Sequence, residues 1–417
     1  MQGCTQPFFQ QRRTIFWPLW LLLCYILCVN SLLAAEAGLP LLKTFKAKDY
    51  NAGTQNWAVL QDEQGMLYVG NNMGVLEFDG VHWRSLVTPN QSLVRSLALG
   101  KDGLVYVGAR SEVGYLHRDR LGLQFVSIRE KIPPAYRNFQ DIRQTFATND
   151  GVLFVSRSYL FLYNKQQVHT INSPTGFIKA FDIGERIFIN EQDVGLSELK
   201  GHRLEKLAGT ESLTGKSVFV AEQLPSGGII FGTRDAGFFL YEQGQLTPWA
   251  QPLTNELQEA VIYCSTRLEN GNIAIGTVRN GVYILSPTGV LLGQINKSSG
   301  LVDDNVRAMH EDRQHGLWLA LDNGMARVEA SSAISVFRNE NGLQGNVLTM
   351  ARHAKQIFAG TSTGLYELLS QGKQPSFRSI EGRYGQIFDL HTVADQLLVS
   401  TNKGLFRLNQ HQLELAS

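Results

Sequence analysis

An all-β chain built from nine copies of one four-stranded sheet is what this sequence predicts. Three observations carry that expectation. A unit of roughly even length recurs through residues 56–408, its apolar residues alternate at strand rather than helical spacing, and glycine punctuates its turns, 40 times in 417 residues.

The unit reads as an alternating apolar strand, a polar turn often closed by Gly, and a short apolar strand ending near Gly or Ala. A second polar turn, a Gly and two further apolar stretches complete it. "NWAVLQDEQGMLYVGNNMGVLEF" (56–78) is the first copy, and others span 92–116, 141–163, 177–199, 218–241, 261–285, 301–328, 347–368 and 386–408. The second strands end at Gly70, Gly108, Ser156, Asn190, Gly232, Gly276, Ala320, Gly360 and Ser400, with spacings between 34 and 48 residues. Four short strands at such a period are the signature of a β-propeller blade. One blade cannot bury both faces of its sheet, whereas a ring of blades buries them all. Glycines after the second strand and before the third are expected to supply positive φ in tight turns. Nine blades make one seven-bladed ring plus part of a second, or a single larger ring closed by pairing its ends.

The first 37 residues differ in kind. Arg12 and Arg13 precede an apolar stretch from Ile15 to Leu33, and Ala35-Glu36-Ala37 resembles a cleavage site. This is a secretory signal peptide or, because the stretch nearly spans a bilayer, an N-terminal anchor. Residues 38–417 form the repeat region, exported and expected in a periplasm, with tethering to the inner membrane as the anchor's consequence. Cys4, Cys24 and Cys28 lie in the targeting segment, so Cys264 is alone in the rest of the chain and reads as a buried small hydrophobe. With 38 basic against 37 acidic residues, charge offers no case for nucleic acid.

At 56–78, 305–328 and 347–366 the wording resembles the two-component regulator propeller repeat, N-x-V-x-x-x-x-E-D-x-x-G-x-L-W-x-G-T-x-x-G-L. Asn305-Val306, Glu311-Asp312, Gly316-Leu317-Trp318 and Asp322-Asn323-Gly324 match it. Ala320-Leu321 replaces its Gly-Thr, which Gly232-Thr233, Gly276-Thr277 and Gly360-Thr361 supply elsewhere. The resemblance implies the extracytoplasmic sensor part of a membrane-bound signalling protein of two-component or cyclic-di-GMP type. Such sensors usually continue into a Tyr-rich sandwich, a transmembrane helix and a cytoplasmic kinase or cyclase. None of these follows the ninth unit here, so the resemblance implies a truncated or split product and carries over no output activity.

Chemistry is sparse. His310, Glu311, Asp312 and His315 suggest a metal, but they fall at a strand end and in a turn, not on one helix face as H-E-x-x-H requires. No nucleophile elbow, P-loop or dinucleotide fingerprint has its strand–turn–helix context, so neither a cofactor nor a metal is expected. Trp57, Trp83, Trp249 and Trp318 read as blade packing. If the first strand of each unit is innermost, the turns between second and third strands open on the face of the blade links. They carry Asn71, Asn72, Arg110, Glu112, Arg234, Asp235, Arg279, Asp322, Asn323 and Lys403, a polar ring suited to a small polar ligand or carbohydrate. The expectation is a non-catalytic sensor that signals through a membrane protein, a homodimer being one route. A propeller lyase or hydrolase acting on polysaccharide or lactone, and a protein-interaction scaffold, are the alternatives.

Overall fold

The computed structural model describes residues 38–416 apart from Leu121, Ala333, Arg383 and the stretches 338–340 and 370–374. The targeting segment therefore lies outside the described residues. Among these residues the strands form nine four-stranded antiparallel sheets and one two-stranded ladder. The chain divides into a unit spanning Leu39–Val336 and a second that contains Phe337–Ser417.

The first unit is a closed seven-bladed ring. Its innermost strands are Asn56–Gln61, Val94–Leu99, Gln144–Thr148, Phe177–Ile183, Val218–Gln223, Ile262–Arg267 and Val306–Glu311, hereafter blades 1 to 7. Each packs against the next, and the seventh packs against the first. Six blades take four consecutive strands. Blade 7 has only three, Val306–Glu311, Leu317–Leu321 and Met325–Val328, and its outermost strand is Leu42–Phe45 from the beginning of the ring. Leu42 pairs with Val328 and Phe45 with Met325, and Leu39 pairs with Val336 just outside. This strand closes the ring with backbone hydrogen bonds that would otherwise leave an open edge.

Apolar side chains fill each gap between neighbouring blades. The gap between blades 6 and 7 holds Ala274, Val282, Ile284, Leu317, Leu319 and Leu321. Phe45, Val59, Leu67, Trp318 and Met325 close the gap between blades 7 and 1. Phe45 stacks on Trp318 at 5.5 Å and meets the edges of Phe78 and Trp83 at 5.7 and 5.6 Å.

The glycines before the third strands have the expected positive φ, as at Gly281 (φ 72°) and Gly324 (φ 94°). The glycines ending the second strands work differently. At Gly276 a Cβ would stand 2.6 Å from Cys264 Sγ and 2.9 Å from a Val306 methyl. Here glycine lets the innermost strand of the next blade come close; left-handed backbone is not the reason.

The second unit contributes two blades, blade 8 and blade 9, with innermost strands Val347–His353 and Ile387–Val393 respectively. They share one core of Phe358, Leu365, Ile387, Leu390, Leu397 and Val399.

Candidate functional site

The innermost strands share a defect. In blade 1, Asn56 pairs with Asn71 and Ala58 with Gly70, which leaves Trp57 without a partner residue. The same bulge falls at Arg95, Ile178, Phe219, Tyr263 and Arg307. In blade 3, Arg143 stands just before the strand and donates its backbone N–H to Val155, the residue that also faces Gln144. A bulge re-aims a side chain that would otherwise follow the pleat. All seven residues border a cavity of about 860 Å³ at the ring's axis, a volume suited to a small organic ligand.

Cations and aromatic rings alternate around this cavity. The Arg95 and Arg307 guanidinium groups lie over the Trp57 ring at 4.2 and 4.8 Å. Arg307 also lies 5.3 Å from the Tyr263 ring. Lys179 Nζ is 5.3 Å from both Tyr263 and Phe219, and Arg234 is 4.1 Å from Phe219. Arg95 pairs with Asp141 and Arg307 with Asp322, each at 2.8 Å. Arg143 and Arg234 have no carboxylate partner among the described residues, and Lys179 donates its hydrogen bond to the Tyr263 carbonyl. The indole N–H of Trp57 is buried and has no acceptor among the described residues.

Burial shapes the electrostatics. It pushes the Lys179 ammonium down to about 8, with Arg234 adding repulsion against the opposing pull of Glu222. It pushes the Glu222 carboxyl up to about 7, despite the hydrogen bond from Ser265 at 2.7 Å. Burial also lowers the Arg143 pKa, and the neighbouring charges of Arg95 and Arg157 add to that. The Cys264 thiol, buried as its sequence suggests, is pushed up to about 12 and stays protonated.

The sequence-chosen turns of the ring do lie at this end. Asn72, Arg110, Arg234 and Asp322 each donate a backbone N–H to the residue before their own blade's innermost strand. Of the ten candidates, Arg234 borders the cavity. Asp322 holds Arg307, and Arg110 shares Asp141 with Arg95, so these two orient cavity residues. Asn71 is buried, its amide bound to Gly53, Gln55 and Asn56. Glu112 accepts from Ser127. Asn72 is half-buried, and Asp235, Arg279 and Asn323 are exposed on the ring, outside the cavity lining. Lys403 is exposed on the second unit.

Trp83, Trp249 and Trp318 pack within the blades, but Trp57 faces the axis. It, Arg95, Arg143, Lys179, Phe219, Tyr263 and Arg307 were not among the sequence candidates. For Trp57, Arg95, Phe219, Tyr263 and Arg307 the signal is positional, each being the second residue of its innermost strand, whereas Arg143 and Lys179 fall outside that register.

The histidine cluster sits at the far end of the blades. Asp312 accepts from the backbone N–H groups of Gln314 and Gly316 and from Trp318 Nε1 at 2.9 Å. His310 Nε2 accepts from the Gln61 backbone at 3.2 Å, and His315 lies 2.8 Å from Glu269. Asp62 caps the matching turn of blade 1 through Gln64 and Met66. These side chains organise turns.

No family profile and no curated protein matches the chain. Solved structures do. A domain of B. thetaiotaomicron described as the extracellular part of a hybrid two component system aligns with TM-score 0.66 at 14% identity, over 91% of this chain and 54% of its own. A second such domain from the same organism aligns with TM-score 0.55 at 15% identity, over 90% of this chain and 53% of its own. The chain thus spans about half the length of these neighbours. A catalytically inactive histidine-to-alanine variant of virginiamycin B lyase from Staphylococcus aureus, solved with quinupristin, aligns with TM-score 0.54 at 9% identity, over 69% of this chain and 98% of its own. These likenesses establish the propeller fold. Among the described residues, no helix is long and apolar enough to cross a membrane.

Proposed function

We propose that the chain is an exported sensor propeller that binds a small polar ligand, a carbohydrate being one class, at the axial cavity of its seven-bladed ring. A membrane signalling protein then reads the bound state. The observation that carries this is the repeated bulge: in six of the seven blades it turns one side chain, aromatic or cationic in five of them, toward the axial cavity. Ligand bridging several innermost strands would tighten the ring, and that change in blade packing or in a dimer's geometry is the signal. The likeness to extracellular domains of hybrid two component systems supports export and sensing.

Turnover is the second reading, and the lyase likeness raises it. That lyase is inactivated by loss of a histidine, whereas none of this chain's nine histidines borders the cavity. Glu222 accepts from Ser265 and Lys179 donates to a backbone carbonyl, and these two groups are where acid–base chemistry would have to reside on this reading.

Melting the full chain against a panel of neutral and charged sugars and small metabolites tests the reading. A ligand at a hundredfold excess over its Kd should raise Tm by about 5 °C. Trp57→Ala should abolish the shift while the unliganded protein still melts cooperatively. A panel that leaves Tm unmoved throughout, or a shift that survives Trp57→Ala, would sink it.

A further inference from the structure

The geometry points to an oligo-anion as the ligand class: a small organic molecule bearing at least two carboxylate, sulfate or phosphate groups, bound between two cationic lobes of the axial cavity. This deepens the recognition reading and rests on it.

Six cations border the cavity: Arg95, Arg143, Arg157, Lys179, Arg234 and Arg307. The carboxylates Asp182, Asp193 and Glu222 also border it. Burial pushes the carboxyl groups of Asp182 and Glu222 up, which weakens them as counterions. Arg95, Lys179, Arg234 and Arg307 lie against aromatic faces, and of these Arg95 and Arg307 are also paired with Asp141 and Asp322. A ring face fixes a guanidinium by its quadrupole without cancelling its charge, whereas a carboxylate would neutralise it. Phe219 and Tyr263 therefore position the charge of Lys179, and Phe219 that of Arg234, and leave it available.

The charge falls into two groups. Arg95 and Arg157 each repel Arg143 on the side of blades 2 and 3, where Asp141, already paired with Arg95, offsets them in part. Lys179 and Arg234 repel on the side of blades 4 and 5. Each group keeps one guanidinium without a carboxylate partner among the described residues: Arg143 in the first, Arg234 in the second. Mutual repulsion among buried cations is relieved by an anion, and two separated lobes are relieved best by a ligand with separated charges. A cavity of about 860 Å³ accommodates a ligand of two or three sugar-sized rings.

Calorimetric titration of the full chain with three matched probes tests this: a galacturonate trimer, galacturonate monomer and a neutral galactose trimer. A sulfated disaccharide forms a fourth arm and separates sulfate from carboxylate preference. The charged trimer should bind about tenfold or more tighter than the monomer, and the neutral trimer at least as much weaker. Raising salt from about 50 to about 200 mM should weaken binding several-fold. Arg143→Gln and Arg234→Gln should each lose about tenfold, while Arg279→Gln, exposed and outside the cavity, should bind as the parent does. Neutral and charged trimers binding alike would overturn the anion class yet leave a sensor intact. Absence of binding by every charged probe overturns the inference as well, and the wider melting panel then decides the sensor reading separately.

Discussion

Blade 1 and blade 9 are written in the same repeat, yet they end in different environments. Each blade of the ring has a neighbour on either side, so both faces of its sheet go into apolar cores, as blade 7 does with Leu317 and Leu319 on one side and Trp318 and Ala320 on the other. Blade 9 shares one core, with blade 8. Its Leu405, Phe388 and Leu415 are 45%, 50% and 63% exposed. Phe388 occupies the bulged position that Phe219 takes at the ring's axis. The repeat thus specifies a sheet with two sticky faces, and only neighbours decide whether those faces are buried.

Breaking the closure should have the largest effect. Phe45→Ala removes the aromatic that joins blades 7 and 1 and should destabilise the ring by about 3–5 kcal/mol in urea unfolding. Four of the chain's six tryptophans, Trp57, Trp83, Trp249 and Trp318, belong to the ring, so fluorescence reports mainly on it. A loss below about 1 kcal/mol would show that the ring does not depend on this strand.

Next comes Gly276→Ala, where the added methyl meets Cys264 and Val306 across the interface of blades 6 and 7. A destabilisation of about 1–3 kcal/mol is expected, with the unfolding slope unchanged. A neutral result would mean that blades can shift apart freely.

A third test sharpens the comparison at the axis, which only the closed ring completes. The Lys179 ammonium is depressed to about 8 by burial, and it faces Glu222, Arg234 and Cys264. Glu222 is raised to about 7 by burial, and it faces Ser265, Arg267 and Lys179. Below pH 7 lysine is charged and the carboxyl neutral; above pH 8 the reverse holds. Affinity for the galacturonate trimer should therefore fall by about tenfold or more between pH 6 and pH 9. Affinity that is flat or rising over that window contradicts the assignment of these two groups.

The smallest effect belongs to blade 9. Leu415→Ser should change stability by no more than about 0.5 kcal/mol, because the side chain already meets solvent. Hydrogen exchange should also be faster in Ile387–Val393 than in Val306–Glu311. Equal protection of the two strands would erase the distinction drawn between the units.

Much of the fold was legible in the sequence because it is local. Strand alternation, the turn-capping aspartates and the ends of the second strands repeat at a readable period, and the strands Leu67–Asn71 and Ile273–Thr277 end within a residue of the expected positions. The closing strand was not legible, since Leu42–Phe45 lies outside the repeat and pairs with residues far along the chain. Of the candidate site, sequence reasoning reached the end of the ring on which the axial cavity's Arg234 lies but settled on the turns, whose side chains Asn71 and Glu112 are occupied in holding backbone and neighbours. Trp57 and Arg95 looked like ordinary strand residues because alternation cannot reveal a bulge: one extra residue flips a side chain without altering the composition around it.

The same ladder that completes blade 7 also governs how the ring would answer a mechanical load. Leu39 lies opposite Val336 and Leu42 opposite Val328, so the chain enters and leaves the ring at one end of an antiparallel pair. Tension applied from both sides would strip these bonds one after another, as a zipper opens, instead of loading them together in shear. The first blade to part under force would then be the seventh, with blades 1 to 6 still intact.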